Sequence, residues 1–306
     1  MPMKNAATNI RVRSIISPLD ISKKTGRIVD DGDLDILLTG QTLVSKPNGK
    51  PLVIYLPGAL TGESHEEAYK ILSPIRNRSF TRGKASGAPS RIINKTSVSK
   101  NVMSSIIGNI DATKSGRFPY CRTTAWSGKH TKRFAGLSPI FSQVSTLFQE
   151  YVPDRYAAQM QQAKATAPGW VIPDTPFTTM TVNNTYPTGV HKDAGDLEKG
   201  FSCLAVWRRG DFTGGKLTFP EYRIGVDLQD GDLILMDAHE WHGNTNIELH
   251  SEDAERISLV LYFRERMVKC GTRDEEKKKE WDHLRGKFPD EEMDREAMAE
   301  FTTVGG

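Results

Sequence analysis

The sequence predicts an α+β fold: an antiparallel sandwich or barrel of short strands, braced by helices on one outer face. Three observations carry this. From Thr175 onward, six β-rich runs (FTTMTVNN, FSCLAVWRR, GGKLTFP, YRIGVDL, GDLILMD and ERISLVLYFRE) follow one another with turn residues between them, the pattern of strands closed into a sandwich or barrel. Upstream, Ile140, Val144, Leu147, Phe148 and Tyr151 recur at helical spacing on one face, as a helix packed on a sheet requires. The 306 residues, 37% apolar and 26% charged, suffice for a sizeable core.

Taken in order, the first 50 or so residues alternate short apolar pieces with Gly, Asp and Lys and read as irregular strands with loops. PLVIYLPGAL is a buried strand ending at Pro57-Gly58. Ser64, with Glu67 three residues on, fits a capping box opening the helix HEEAYKILSPIRN, which Pro74 shortens or kinks. From Arg78 to Lys114 the chain is polar and basic, and TRGKASGAPSR reads as a surface loop. RFPYCRTTAW reads as a strand, and the helix from LSPIF is ended by Pro153 with a second short helix behind it. After Met267 comes a highly charged helical tail, frayed at TTVGG. The expected division is residues 1–115 packed on the core, a core at 116–268, and a tail at 269–306. There is no internal repeat.

The net charge is only +3, yet Lys and Arg gather between Lys46 and Arg133. Such a basic half suits a polyanionic partner, and equally a solvated surface. No apolar run approaches the roughly 20 residues that span a bilayer, and MPMKNAATNIRVRS lacks the apolar middle of a secretory signal. Cys121, Cys203 and Cys270 are odd in number, widely spaced and without a C-x-x-C pair. They predict a reduced, cytoplasmic setting rather than a disulfide framework or zinc ribbon.

The chemistry concentrates between Thr181 and Glu265. His191 and Asp193, two apart on a strand, project to the same side and can chelate one ion. Two histidines and one carboxylate on one face of a metal, with the other positions open, suit non-haem Fe(II). For the third ligand, His239 and His242 both lie just beyond the strand LILMD, whereas His250 sits in the polar loop LHSEDAE. In ERISLVLYF, Arg256, Ser258 and Val260 face one way and Ile257, Leu259 and Leu261 the other. An inward guanidinium needs an anion: the far carboxylate of 2-oxoglutarate with Ser258 adding a hydroxyl, or a structural pairing with Glu252 or Asp253. Asn183, on the preceding strand, would line the same pocket.

The run TVNNTYPTGVHKDAGD, its spacing to EWHGN, and RISLVLY resemble the TET/JBP family of Fe(II)/2-oxoglutarate dioxygenases, over about Arg117 to Arg266. CRTTAW and the following helix are similar to its compact phage and microbial members. The resemblance implies a double-stranded β-helix (jelly-roll, cupin-like) core that oxidises the methyl group of 5-methylcytosine or thymine in DNA. 5-Methylcytosine to 5-hydroxymethylcytosine stands ahead of thymine. The implied cofactors are Fe(II), 2-oxoglutarate and O2, with His191, Asp193 and His242 as iron ligands and Arg256 on the cosubstrate. Asp196, three residues after the aspartate ligand, would hydrogen-bond the base, accepting from the cytosine amino group or thymine N3–H. Eight residues after Arg256, where some members have a base-contacting histidine, this chain has Arg264, which implies a different contact at the base edge. Arg122 in CRTTAW would be a second anchor for the cosubstrate or a phosphate.

The implied partner is DNA with its methylpyrimidine flipped out or single-stranded, held along the backbone by Arg76–Lys84 and Lys129–Arg133. No membrane and no obligate protein partner are implied, and the setting is the cytoplasm, that of a host if the chain is phage-encoded. Two other readings share these residues. A hydroxylase of a protein side chain or small metabolite uses the same triad and Arg-x-Ser, and a non-enzymatic cupin-like barrel would carry the histidines incidentally.

Overall fold

The computed structural model describes residues 8–76, 103–113 and 116–287. TRGKASGAPSR, the basic stretch beyond Arg76 and the TTVGG end lie outside the described residues. The chain forms two compact units, residues 1–105, 181–194 and 201–260 making the first, and 106–180, 195–200 and 261–306 the second.

The strands in chain order are β1 (Thr8–Arg11), β2 (Ile36–Leu38), β3 (Thr42–Ser45), β4 (Pro51–Leu56), β5 (Ser104–Ile110), β6 (Arg122–Thr123), β7 (Thr179–Asn184) and β8 (Ser202–Arg209). There follow β9 (Phe212–Gly214), β10 (Leu217–Phe219), β11 (Ile224–Val226), β12 (Leu233–Met236), β13 (Gly243–Asn244), β14 (Ile247–Leu249) and β15 (Glu255–Tyr262). The helices are α1 (Pro18–Lys23), α2 (Glu63–Leu72), α3 (Ala125–Lys129), α4 (Thr131–Gly136), α5 (Ser138–Tyr151), α6 (Pro153–Ala165) and α7 (Arg273–Lys287). All six β-rich runs downstream of Thr175 contain a strand.

In the first unit the main sheet runs β1-β3-β4-β12-β8-β15-β7 and a second sheet runs β13-β10-β11-β2. Successive strands cross between them: β8 in the main sheet, β10 and β11 in the second, β12 back in the main, β13 in the second, β15 in the main. That winding is a double-stranded β-helix. Central β12 pairs antiparallel with β4 (Leu233↔Leu56 through Met236↔Val53) and with β8 (Leu233↔Ala205 through Met236↔Ser202). Leu233, Ile234 and Leu235 are wholly buried, which is why this strand reads as an unbroken apolar run. Each buried side chain stabilises the fold by roughly 1.5–3 kcal/mol. β12 is thus a rigid rail, and the loop beginning at Asp237 leaves from its end.

Two local expectations change in this unit. Helix α2 starts at Glu63, with Gly62 at φ 85° as its cap, so the Ser64 capping box does not form. His65 explains the earlier start: it is buried, stacks on Trp207 at 5.0 Å, and its carbonyl accepts the Trp207 indole N–H at 2.8 Å. The first 50 residues also hold a helix, α1, whose signals are local: Pro18 in its first turn and Ser17 accepting the Asp20 N–H at 3.2 Å.

The second unit is mainly helical. Helix α5 buries Ile140, Phe141, Val144, Ser145 and Phe148, and Pro153 opens α6. Leu147 and Tyr151 are only half-buried; the covered face is rotated toward Phe141. In RFPYCRTTAW only Arg122–Thr123 is strand, paired with β5 as Ile110↔Arg122 and Asn109↔Thr123. Trp126 already belongs to α3, because buried Ser127 turns inward to accept the Gly108 N–H at 2.8 Å. Cys121, Ala163, Trp170, Phe263, Met267 and Cys270 make a core cluster.

Cys121 and Cys270 form a disulfide across 149 residues, which corrects the reading of all three cysteines as reduced. Spacing along the chain carries no information on which distant residues the fold brings together. Cys203 is free and buried. Closing so long a loop is worth about 5 kcal/mol by chain entropy. Urea unfolding with reductant is therefore expected to show a markedly lower midpoint than without; equal midpoints would mean that the bond contributes nothing. Among the described residues, no helix is long and apolar enough to cross a membrane.

Candidate metal centre

In the first unit the segment Thr188–His191 runs antiparallel to His242–Asn244. His191 N–H donates to the His242 carbonyl at 2.8 Å, His242 N–H returns to the His191 carbonyl at 3.0 Å, and Asn244 N–H reaches the Thr188 carbonyl at 2.8 Å. The Asn244 side-chain oxygen also accepts from the Thr188 N–H at 3.1 Å and hydroxyl at 2.8 Å. Glycine permits this closeness: a Cβ on Gly189 would fall 2.5 Å from the Gly26 backbone, and one on Gly243 would fall 3.0 Å from Val190 N. Gly189→Ala is accordingly expected to displace His191 and weaken metal binding at least tenfold, readable by metal titration.

His191 is a single bridge residue and Asp193 lies in irregular chain just beyond it, so the two do not share a regular strand as expected. The chain leaves the ladder after His191 and returns through Asp193 N–H to the Ala238 carbonyl, at 3.0 Å. The outcome is nonetheless convergent. Candidate ligand atoms of His191, Asp193 and His242 lie within 4.8 Å of one another. The imidazole rings sit 4.3 Å apart at 52°. The Asp193 carboxylate is 3.4 Å from His191 Nε2 and 3.8 Å from His242 Nε2.

Both tautomers follow from the second layer of contacts. His191 Nδ1 is 2.8 Å from the Gly189 carbonyl and His242 Nδ1 is 2.9 Å from the Glu240 carbonyl. A carbonyl oxygen can only accept, so each Nδ1 donates, and each Nε2, which faces the Asp193 carboxylate, is the nitrogen left to bind a metal. Burial, aided by neighbouring His191, pushes the His242 pKa down to about 4, so the ring is neutral at pH 7. Two imidazoles and one carboxylate, braced from behind, fit one Fe(II). His239 turns its ring to the Asp237 carboxylate at 3.3 Å, and exposed His250 meets Thr213 at 3.0 Å. Neither joins the cluster.

Arg256 and Ser258 are buried on β15. Arg256 Nη2 has no hydrogen-bond partner, and among the described residues no carboxylate pairs with the guanidinium, Glu252 and Asp253 included. Burial, with Arg208 adding to it, pushes its pKa down to about 10 against an opposing pull from Asp227. A buried cation without a counter-ion is costly unless a ligand supplies one, and the planar fork suits a carboxylate held through two parallel bonds. Ser258 Oγ accepts from Asn183 Nδ2 at 3.3 Å, and Asn183 Oδ1 accepts from Ser104 Oγ at 2.7 Å. Asn183 thus stands beside Ser258, and the orphaned guanidinium fits the far end of 2-oxoglutarate.

The remaining expected residues belong to the second unit. Asp196 is buried and pairs by backbone with Arg264. Arg264 donates through Nε to the buried Asp111 carboxylate and lies against Gly195, where a Cβ would meet its Nη2 at 3.2 Å. Burial opposes its charge, but Tyr262, Asp111 and Asp196 outweigh that and raise its pKa. The arginine at this position is therefore fixed by an acidic partner rather than loose. Arg122 lays its guanidinium over the Phe118 ring at 3.9 Å, with Nη1 buried and without a hydrogen-bond partner among the described residues. Lys129, Lys132 and Arg133 are exposed on α3 and α4.

Sequence reasoning missed the groups that hold the His242 loop, foremost Lys46, which bonds Asp237 from 191 residues away. No motif spacing could have revealed that pairing.

Residues 105–265 match the Tet_JBP family model, described as the oxygenase domain of the 2OGFeDO superfamily. Over 193 residues the chain is 31% identical to thymine dioxygenase JBP1 of Crithidia fasciculata, covering 59% of this chain and 23% of that protein. It is 29% identical over 238 residues to thymine dioxygenase JBP1 of Trypanosoma brucei brucei, covering 77% and 26%. The chain thus spans about a quarter of the length of these curated relatives. Its fold is similar to the solved structure of NgTET1 in complex with 5mC DNA, with a TM-score of 0.57 at 15% identity over 88% of this chain and 86% of that one.

Proposed function

Because the chain belongs to the Tet_JBP family of 2OGFeDO oxygenase domains, we propose that it is an Fe(II)- and 2-oxoglutarate-dependent dioxygenase hydroxylating the 5-methyl group of a pyrimidine in DNA. The observation that carries this reading is the pairing of two features in one unit: the His191, Asp193 and His242 cluster, and a buried guanidinium at Arg256 that lacks an anion among the described residues. Each alone has a structural explanation. Together they match a metal and a dicarboxylate cosubstrate.

In this reading His191, Asp193 and His242 hold the metal, and Arg256 grips the far carboxylate of 2-oxoglutarate with Ser258 beside it. Asn183 fixes the Ser258 hydroxyl. When bound, iron, 2-oxoglutarate and O2 supply the oxidising power that turns a methyl C–H into C–OH, with succinate and carbon dioxide as co-products. Asp196, by its position in the motif, accepts a hydrogen bond from the base. A carboxylate takes one equally from the cytosine amino group or from thymine N3–H, so this residue admits either base. The methyl group lies in the duplex groove, so the base is flipped out or single-stranded when it reacts. Curated relatives are thymine dioxygenases and the structural neighbour was solved with 5mC DNA, which supports a methylpyrimidine of either kind.

The deciding experiment is mass spectrometry of nucleosides after incubation with Fe(II), 2-oxoglutarate and DNA containing either thymine or 5-methylcytosine. A hydroxymethyl nucleoside from one of them is expected; from neither, the reading is lost. Succinate formation driven by peptides or amino acids rather than DNA would move the substrate elsewhere. The basic surface adds a second check. If Lys129, Lys132 and Arg133 each neutralise one phosphate, affinity should fall about 40-fold between 50 and 200 mM salt. Replacing all three by glutamine should flatten that slope, and salt-independent binding would count against this surface.

A further inference from the structure

We propose that the segment Gly26–Lys46, upstream of the family-matched residues 105–265, is a positioning element of the metal site, acting on His191 through Val190 and on His242 through Glu240. It rests on reading His191, Asp193 and His242 as metal ligands.

The first arm is backbone. Gly26, at φ 80°, donates its N–H to the Val190 carbonyl at 2.8 Å, and Val190 N–H donates to the Arg27 carbonyl at 2.8 Å. Val29 N–H then reaches the Asn244 carbonyl at 3.0 Å and bridges Thr245 in parallel. One short stretch therefore grips both ligand-bearing segments, one residue before His191 and two after His242. Ile21, Val29 and Val190 bury together beneath it, with Trp241 against them.

The second arm is ionic. Lys46 is buried, and its ammonium lies 2.8 Å from Asp237 Oδ2 and 2.8 Å from Glu240 Oε1. Burial opposes its charge, but the two carboxylates outweigh that and keep it protonated. Glu240 is further held by the Tyr222 hydroxyl at 3.3 Å, and Asp237 N–H by the Leu52 carbonyl at 2.9 Å. The loop from Asp237 to His242 is thus tied at two points by one lysine. Its product is the position of the Glu240 carbonyl, which orients the His242 ring through Nδ1. Partners in this outer layer set ligand direction and metal affinity without touching the ion.

The test is a titration of the metal-free full chain with Co(II), following its d–d absorption, alongside a thermal melt. Lys46→Met is expected to weaken Co(II) binding 10–100-fold and alter the band envelope. Lys46→Arg, which keeps the cation between the two carboxylates, is expected to recover most of both. Should Lys46→Met fail to fold, Glu240→Gln serves: it keeps the carbonyl that meets His242 but loosens the tie, and the same loss of affinity and band change are expected. A variant that melts earlier yet binds Co(II) as the wild type does, with an unchanged spectrum, shows Lys46 to be merely structural and overturns the proposal. If the wild type itself takes up no Co(II), the ligand assignment fails first, and the positioning role with it.

Discussion

Asp193→Ala is expected to abolish turnover, lowering succinate formation by more than about 10³-fold, equivalent to some 4 kcal/mol of transition-state stabilisation. The reason is charge as much as geometry. Burial holds the His242 ring neutral and an imidazole ligand brings no negative charge, so Asp193 is the only anion among the three candidate ligands. Without it two neutral rings would have to hold a dication unaided. The metal-free fold should barely notice, since the carboxylate side chain is partly exposed and lies beside the two imidazoles. Metal-free variant and wild type should therefore melt within a few degrees of each other, while only the wild type is stabilised by added metal. Under anaerobic conditions, Fe(II) with 2-oxoglutarate should give a weak visible charge-transfer band in the wild type alone. A band that survives the substitution would sink the metal assignment.

Arg256→Met separates cosubstrate binding from fold stability in the opposite sense to most core substitutions. The guanidinium is buried without a counter-ion among the described residues, and a pKa of about 10 in the folded chain corresponds to a penalty of roughly 3 kcal/mol. The sign is clear. A basic group held below its ordinary value costs stability wherever it remains charged, so the penalty is present at neutral pH. It fades only as pH rises past about 10 toward the ordinary arginine range. Methionine fills a similar volume without charge, so the metal-free, cosubstrate-free variant should be as stable as the wild type or more so. Stabilisation by 2-oxoglutarate should disappear, and its KM should rise about 100-fold or more, the loss of a desolvated bidentate pair. A variant that melts several degrees lower but keeps the wild-type KM would mean that Arg256 serves the core instead.

Both expectations draw on residues of two kinds, those legible in the chain and those that only folding brings together. The strands after Thr175 are legible because each is a short β-branched or aromatic run stopped by turn residues, a signal that does not depend on distant neighbours. Helices α5 and α6 are legible from spacing and Pro153. The start of α2 is not, because burial of His65 against Trp207 overrides the local preference for a serine cap. The disulfide escapes for a related reason: Cys121 and Cys270 are neighbours only after the second unit has folded.

The sequence by itself determined the order and texture of the strands, the ligand types in H-x-D and EWHGN, and an arginine placed by strand alternation on the inward face beside Ser258. Those are local properties, written in residue identity and short-range spacing. Only the tertiary structure decided which histidine meets Asp193, since His239 and His242 are three residues apart and point to different partners. It also decided that Arg256 has no counter-ion among the described residues and that Lys46 ties down the His242 loop. Each of these depends on chain segments far apart in sequence being brought within a few ångströms. That proximity is the product of core packing over the whole sheet, which no short motif encodes.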